Sequence, residues 1–312
     1  MNALPALLAS AALLLGGCAS TSTSSTSTTA ATGKSAAGTV TPSPKATEAA
    51  AALARGDAAW RSGRPEEALR AYLDAAQADP SADAALLRIS MLHEVSGRLD
   101  LALRALQLAE RRDPRKGLTA QRAGFLWLQL GRDERAAQHF TRALQLDPAL
   151  WASCMGLGLA AEQRGDAAAA RLHYDEALAL RPGSPELLAY SARADVALGR
   201  LAEARGQATR SFTAAPSTVA RLVLGDVMAR EGDYAGALEA YHPTLAPAPA
   251  YQRLGEQAMA RGDFAAAVGF FESAVREAPV YSEGAHQRLS VARERSAAAA
   301  RAAAPRTAGQ PR

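Results

Sequence analysis

Glycine recurs along most of this chain at an almost constant interval. It stands at Gly63, Gly97, Gly131, Gly165, Gly199, Gly232 and Gly262, with four gaps of 34 residues followed by gaps of 33 and 30. A period of that size marks a stack of similar units, each too small to bury its apolar face alone. The segments "SGRPEEALRAYLDAAQADP" from Ser62, "LGRDERAAQHFTRALQLDP" from Leu130 and "RGDAAAARLHYDEALALRP" from Arg164 align without a gap. Five residues after the successive glycines stand Ala68, Ala102, Ala136, Ala170, Ala204, Ala237 and Ala267. Tyr72, Leu106, Phe140, Tyr174, Tyr241 and Phe271 follow at the next shared position, and Pro80, Pro114, Pro148, Pro182, Pro216 and Pro279 close their units.

Each position has a physical reason in a pair of packed antiparallel helices. Glycine ends the first helix because it tolerates a positive φ. Alanine lets the two helices touch, and the large side chain is expected to fill the space between neighbouring units. Proline, which lacks an amide donor and restricts the residue before it, stops the second helix. "GSPE" at Gly183–Glu186 is a restart, with Ser184 placed to cap and Pro185 in the first turn.

These residues, with the earlier small residues Gly56, Gly124, Gly158, Gly225 and Gly255, resemble the tetratricopeptide repeat over residues 49–281. The resemblance implies an all-α fold, a right-handed superhelical solenoid of about seven helix-turn-helix repeats. Residues 282–312 lack the pattern and are expected to form a capping helix and a frayed tail. Two repeats depart from it. The fifth has Ala208 in the aromatic slot, Asp195 in its first helix and Gly206 in its second, which should weaken its packing. In the sixth, Pro243, Pro247 and Pro249 fall where the second helix should run, which predicts a break near His242.

Ahead of the repeats, Ala3 to Leu15 is almost wholly apolar, the length of an export-signal core and short of a bilayer span. Residues Leu15, Gly16, Gly17 and Cys18 resemble the lipobox of bacterial lipoproteins. That resemblance implies a signal peptide over residues 1–17, lipidation of Cys18, and a mature protein anchored in the outer membrane, facing the periplasm. Residues 18–48 are rich in Ser, Thr, Ala and Pro and read as a tether. A flexible coil of about 30 residues spans about 30 Å root-mean-square.

No catalytic constellation emerges. His93, His139, His173, His242 and His286 are scattered over different repeats, and the two cysteines, Cys18 and Cys154, give neither a disulfide framework nor a metal site. Cys154 falls at a core position. "GKS" at Gly33–Ser35 lacks the leading glycine and flanking elements of a phosphate loop. The sequence therefore calls for no enzyme activity, metal, cofactor or small-molecule substrate. The net charge of +4 comes with no aromatic-interleaved basic face, which argues against nucleic acid.

In this architecture the first helices line an inner surface. The inward positions are Leu87 and Met91; Gln121, Arg122, Phe125 and Gln129; Met155, Leu159, Glu162 and Gln163; and Tyr190 and Arg193. Met259 falls at an equivalent position. This lining is apolar with polar edges, and flexible thioethers suit varied side chains. It is expected to bind a protein or peptide through apolar anchors. Lipobox, tether and repeats together resemble the lipoproteins that assist type IV and tight-adherence pilus assembly. Their resemblance implies an adaptor that serves an envelope machine, with a secretin as one partner. Recruitment of peptidoglycan hydrolases or proteases and a role in polysaccharide export are the alternatives the sequence leaves open.

Overall fold

The computed structural model describes residues 43–79, 83–278, 280 and 282–303. Cys18, the "GKS" stretch, most of the expected tether, Pro80, Pro279 and the C-terminal tail lie outside the described residues. The chain divides into two compact units, residues 1–156 and 157–312. Among the described residues there are helices and turns and no strand, and no helix is long and apolar enough to cross a membrane.

The first unit contains α1 (Pro44–Arg61), α2 (Pro65–Ala78), α3 (Ala84–Val95), α4 (Leu99–Arg112), α5 (Gly117–Gln129) and α6 (Asp133–Leu146). The unit boundary falls inside α7 (Trp151–Gln163). The second unit continues through α8 (Ala167–Leu180), α9 (Pro185–Ala197), α10 (Leu201–Ala214), α11 (Thr218–Glu231), α12 (Tyr234–Tyr241), α13 (Pro247–Arg261), α14 (Phe264–Glu277) and α15 (Glu283–Ala303). The expected all-α tetratricopeptide fold is what the chain adopts.

All seven turn glycines take positive φ, from 64° at Gly131 to 99° at Gly232. The amide after each glycine reaches back five residues, as in Arg64 N to Ala59 O at 3.0 Å and Arg132 N to Trp127 O at 2.9 Å. These are Schellman turns, and they close each first helix while reversing the chain. The alanine five residues past each glycine is 0 % exposed in every repeat, so the helix pair meets there without a side chain between.

The aromatic residues act first inside their own repeat, a correction to the expectation that they fill the space between units. The rings of Tyr72, Phe140, Tyr174, Tyr241 and Phe271 lie on Gly56, Gly124, Gly158, Gly225 and Gly255 of their partner helices. A Cβ at Gly124 would stand 2.7 Å from the Phe140 ring, and one at Gly255 2.6 Å from that of Phe271. In the first unit Gly156 meets Phe140 from the following repeat as well. Where the notch residue is larger, the opposing residue is smaller: Ser90 faces a repeat with Leu106, and Ala192 one with Ala208, and all four are buried. The fifth repeat is therefore well closed, with Ala192, Val196, Ala204 and Ala208 clustered against Val223 and Val227.

Three boundaries differ from the sequence reading. Helix α1 begins at Pro44, inside the segment taken as tether, because Ser43 caps it and proline occupies the first turn. The break in the sixth repeat is real: α12 stops at Tyr241 after eight residues. Pro247 and Pro249, however, open α13 rather than interrupt the preceding helix, since a first turn needs no amide donors. The C-terminal helix runs on to Ala303, and it packs on the last hairpin through Ala285, Leu289 and Ala292.

Gly206 and Gly255 should respond in opposite senses to alanine. Nothing lies within 4 Å of a Cβ at Gly206, so Gly206→Ala should raise stability by about 0.5–1 kcal/mol. Gly255→Ala drives a methyl into the Phe271 ring and should cost about 1–3 kcal/mol. Thermal and urea denaturation of the two variants will read both signs.

Candidate protein-binding surface

The first helices carry the candidate residues, and an acid-base ladder holds neighbouring first helices side by side. In the first unit the Asp57 carboxylate of α1 accepts from Arg88 of α3 at 2.6 and 2.9 Å, and from the Tyr72 hydroxyl at 2.9 Å. Glu94 of α3 then accepts from Arg122 at 2.9 Å and from Gln129 at 2.7 Å, both on α5. Gln121 accepts from Ser153 Oγ at 3.1 Å.

The second unit repeats the device. Glu162 is paired with Arg193 of α9, whose Nε donates at 3.0 Å. Asp226 of α11 accepts from Arg253 of α13 at 2.7 and 2.6 Å and from the Tyr241 hydroxyl at 2.7 Å. Arg288 of α15 lies 3.3 Å from Glu256.

Electrostatics follow this pairing. Burial works against the Asp57 carboxylate, but the Arg88 and Tyr72 hydrogen bonds outweigh it and hold its pKa below the usual value. Burial and the bond to Asp57 push Tyr72 up to about 12. Burial alone would lower the Arg253 and Arg193 guanidiniums, yet the carboxylates beside them raise both. In Arg122 burial wins over Glu94, and the pKa falls. Arg193 also sits 4.9 Å over the Tyr190 ring, which stacks on Tyr174 at 5.7 Å.

The expected lining residues divide into three groups. Arg122, Gln121, Gln129, Glu162 and Arg193 are engaged in the ladder. Met155 and Tyr190, expected to line the surface, are instead 2 % and 3 % exposed. Met155 is correspondingly corrected to a core residue, and Tyr190 is covered by Tyr174 and Arg193. Leu87, Met91, Phe125 and Leu159 are half-buried, and Gln163 is exposed. Leu87 rests on the cluster of Ala102, Leu103, Leu106, Ala123 and Leu126, while Phe125 meets Phe140 edge-on at 4.9 Å. Met259 packs against the Phe271 cluster. Cys154 is buried, as its core position implied.

The ladder is legible in the sequence only once the repeats are aligned on their notch glycines. Its signal is a carboxylate directly after a notch glycine, in Gly56–Asp57, Gly225–Asp226 and Gly255–Glu256, followed by Arg88, Arg253 and Arg288 on the next first helix. Among the described residues no group of three or more His, Cys, Asp or Glu is placed to hold a metal ion.

Comparison with known proteins fits this geometry. The family model described as "Tetratricopeptide repeat" matches residues 53–116, 128–185 and 191–252. No curated protein matches the chain. Among solved structures, a tetratricopeptide repeat protein from Parabacteroides merdae is 16 % identical with a TM-score of 0.57, covering 79 % of this chain and 99 % of that one. PilW, described as a widely conserved type IV pilus biogenesis factor, is 19 % identical with a TM-score of 0.50, covering 78 % and 97 %. PilF of Pseudomonas aeruginosa is 17 % identical with a TM-score of 0.52, covering 80 % and 98 %. At these identities the likeness is one of fold.

The ladder makes stability depend on pH in a stated direction. A carboxylate whose folded pKa is depressed stabilises the fold above its ordinary value, 3.8 for Asp57, and loses that contribution as pH falls through the folded value. Asp57→Asn should thus be less stable than the parent at pH 7, with the gap closing below about pH 4. A gap that stays constant down the acid limb of the denaturation curves would contradict the assignment.

Proposed function

The chain belongs to the tetratricopeptide repeat family, a family of protein-interaction scaffolds, and from that premise we propose that it is a lipid-anchored periplasmic adaptor at the outer membrane. It binds a protein or peptide segment on its first-helix surface and supports assembly of an envelope machine such as a pilus. The observation that carries this reading is the character of that surface in the first unit. Its charges are internally paired, while Leu87, Met91 and Phe125 stay half-exposed.

Such a surface recognises apolar anchors. Burying three such side chains contributes about 1.5–3 kcal/mol each, against association costs of about 4–15 kcal/mol. Affinity for a free peptide is then micromolar or weaker, and a membrane anchor raises occupancy by confining both partners. The lipobox-like Leu15 to Cys18 supports the anchor, and the likeness in fold to PilW supports the pilus assignment. The chemistry of the surface requires no cofactor.

The test combines localisation and capture. Cys18→Ser should move the protein from the membrane to the soluble fraction. Cross-linked purification from envelope fractions should recover a pilus or secretin subunit with the parent chain and lose it with Met91→Glu and Phe125→Glu combined. Capture that is indifferent to the pair rejects the surface, and a peptidoglycan hydrolase recovered in its place rejects the pilus assignment.

A further inference from the structure

Helix α3 differs from every other first helix in one row of side chains. Leu87, Met91 and Val95 recur every four residues around the notch residue Ser90, so they share one side of α3 and run about 12 Å along it at 1.5 Å per residue. The residue five past the notch is Arg61, Gln129, Gln163, Ala197, Arg230 or Ala260 in the other six repeats, and the residue one past it is charged in four of them. Among the first helices α3 alone therefore presents an unbroken row of large apolar side chains. Val95 is 63 % exposed, the most of any large apolar side chain in the described helices, while Leu87 and Met91 are half-buried. A single exposed valine is ordinary, but three apolar residues in line on one helix face are not.

The charges beside this row are engaged within the protein. Arg88 gives Nε and one terminal nitrogen to the two oxygens of Asp57, which also accepts from the Tyr72 hydroxyl. Glu94 accepts from Gln129 on one oxygen and from Arg122 on the other. Arg61, at the end of α1, turns its Nε back onto the Asp57 carbonyl at 3.2 Å. On α5 the neighbours of the row are Phe125, Gln121 and Gln129. A lysine or glutamate brought against this face would lose its water without gaining an open counter-ion. An apolar side chain gains from burial alone.

We propose that the Leu87–Met91–Val95 row docks an amphipathic helix of another protein whose contact face is apolar and uncharged. The proposal rests on the first-helix surface being where this chain binds protein, and it names the partner's chemistry there. Side chains four apart form a ridge, and ridges of this kind pack into the grooves of a second helix. An extended segment would bring unpaired backbone amides onto an apolar row, whereas a helix has already satisfied its own. Val95 then sets specificity, because it extends the ridge by one turn where the other repeats end in Arg, Gln or Ala.

Three synthetic helical peptides test this on the full chain, each with the same leucine row and with Gln, Glu or Lys flanking it on the contact face. The Leu/Gln peptide should bind tightest, and its affinity should change less than about twofold between low and high salt, as expected where no charge pair forms. Val95→Gln should weaken that binding at least about fivefold, through lost apolar burial, and leave the thermal midpoint unchanged. Leu172→Gln, at a 58 % exposed residue of α8, should leave binding intact. Equal affinity in Val95→Gln and the parent, tighter and salt-sensitive binding of the Leu/Glu or Leu/Lys peptide, or no binding of the Leu/Gln peptide each overturns the proposal. So does a Val95-dependent dimer in sedimentation, which would give the row to a second copy. If the peptides fail while envelope capture still depends on Met91 and Phe125, the uncharged helix is rejected and the adaptor reading stands; if both fail, the adaptor surface is rejected too.

Discussion

An aromatic ring can pack its edge directly onto a helix backbone only where that helix has no side chain beneath it. This contact, ring on glycine, sets the distance and angle between the two helices of a repeat, and the rest of the architecture inherits both. With Phe140 seated on Gly124, the alanine contact at Ala136 closes and the Schellman turn at Gly131 meets its partner helix in register. The outer end of the same ring also meets Gly156 of the next repeat, so one side chain specifies both the hairpin and its neighbour. Interiors packed to crystal-like density transmit such constraints, because a methyl group in the notch has nowhere to go.

The notch also places the charges. A residue directly after the notch glycine stands at the seam between neighbouring first helices, and a carboxylate there meets an arginine from the next repeat. The Asp57–Arg88 and Asp226–Arg253 pairs are joined in each case by a tyrosine hydroxyl from the ring that fills the notch. Removing one partner of such a pair leaves an uncompensated charge, which is why these residues hold repeats in register rather than serve a ligand. Most of the polar lining of the first helices is thus internal structure.

Much of this was legible in the sequence, and the limits have physical causes. The glycine period, the alanine contacts and the aromatic slot are written at fixed offsets, so fold and repeat boundaries followed directly. Which inward residues remain accessible was not legible. Met155 and Leu87 occupy the same position in their repeats, yet Met155 is buried and Leu87 half-buried, a difference decided by tertiary neighbours. Arg193 and Glu162 both read as polar lining, and only their mutual bond shows them engaged. Ser43 and Pro44 carried a helix start as plain as that at Ser184 and Pro185, but the Ser- and Thr-rich stretch before them masked it.

The notch contact is tested most directly by transplanting the second repeat's solution into the third. The second repeat pairs Ser90 with Leu106, and the third pairs Gly124 with Phe140. Denaturation of Gly124→Ser, Phe140→Leu and the double variant gives the coupling between the two positions. If ring and notch act as one unit, each single change destabilises and the double recovers most of the loss from Gly124→Ser, a coupling on the order of 1–3 kcal/mol. Strictly additive losses would show that the ring does not depend on its glycine, and the account of how these repeats are built would fail.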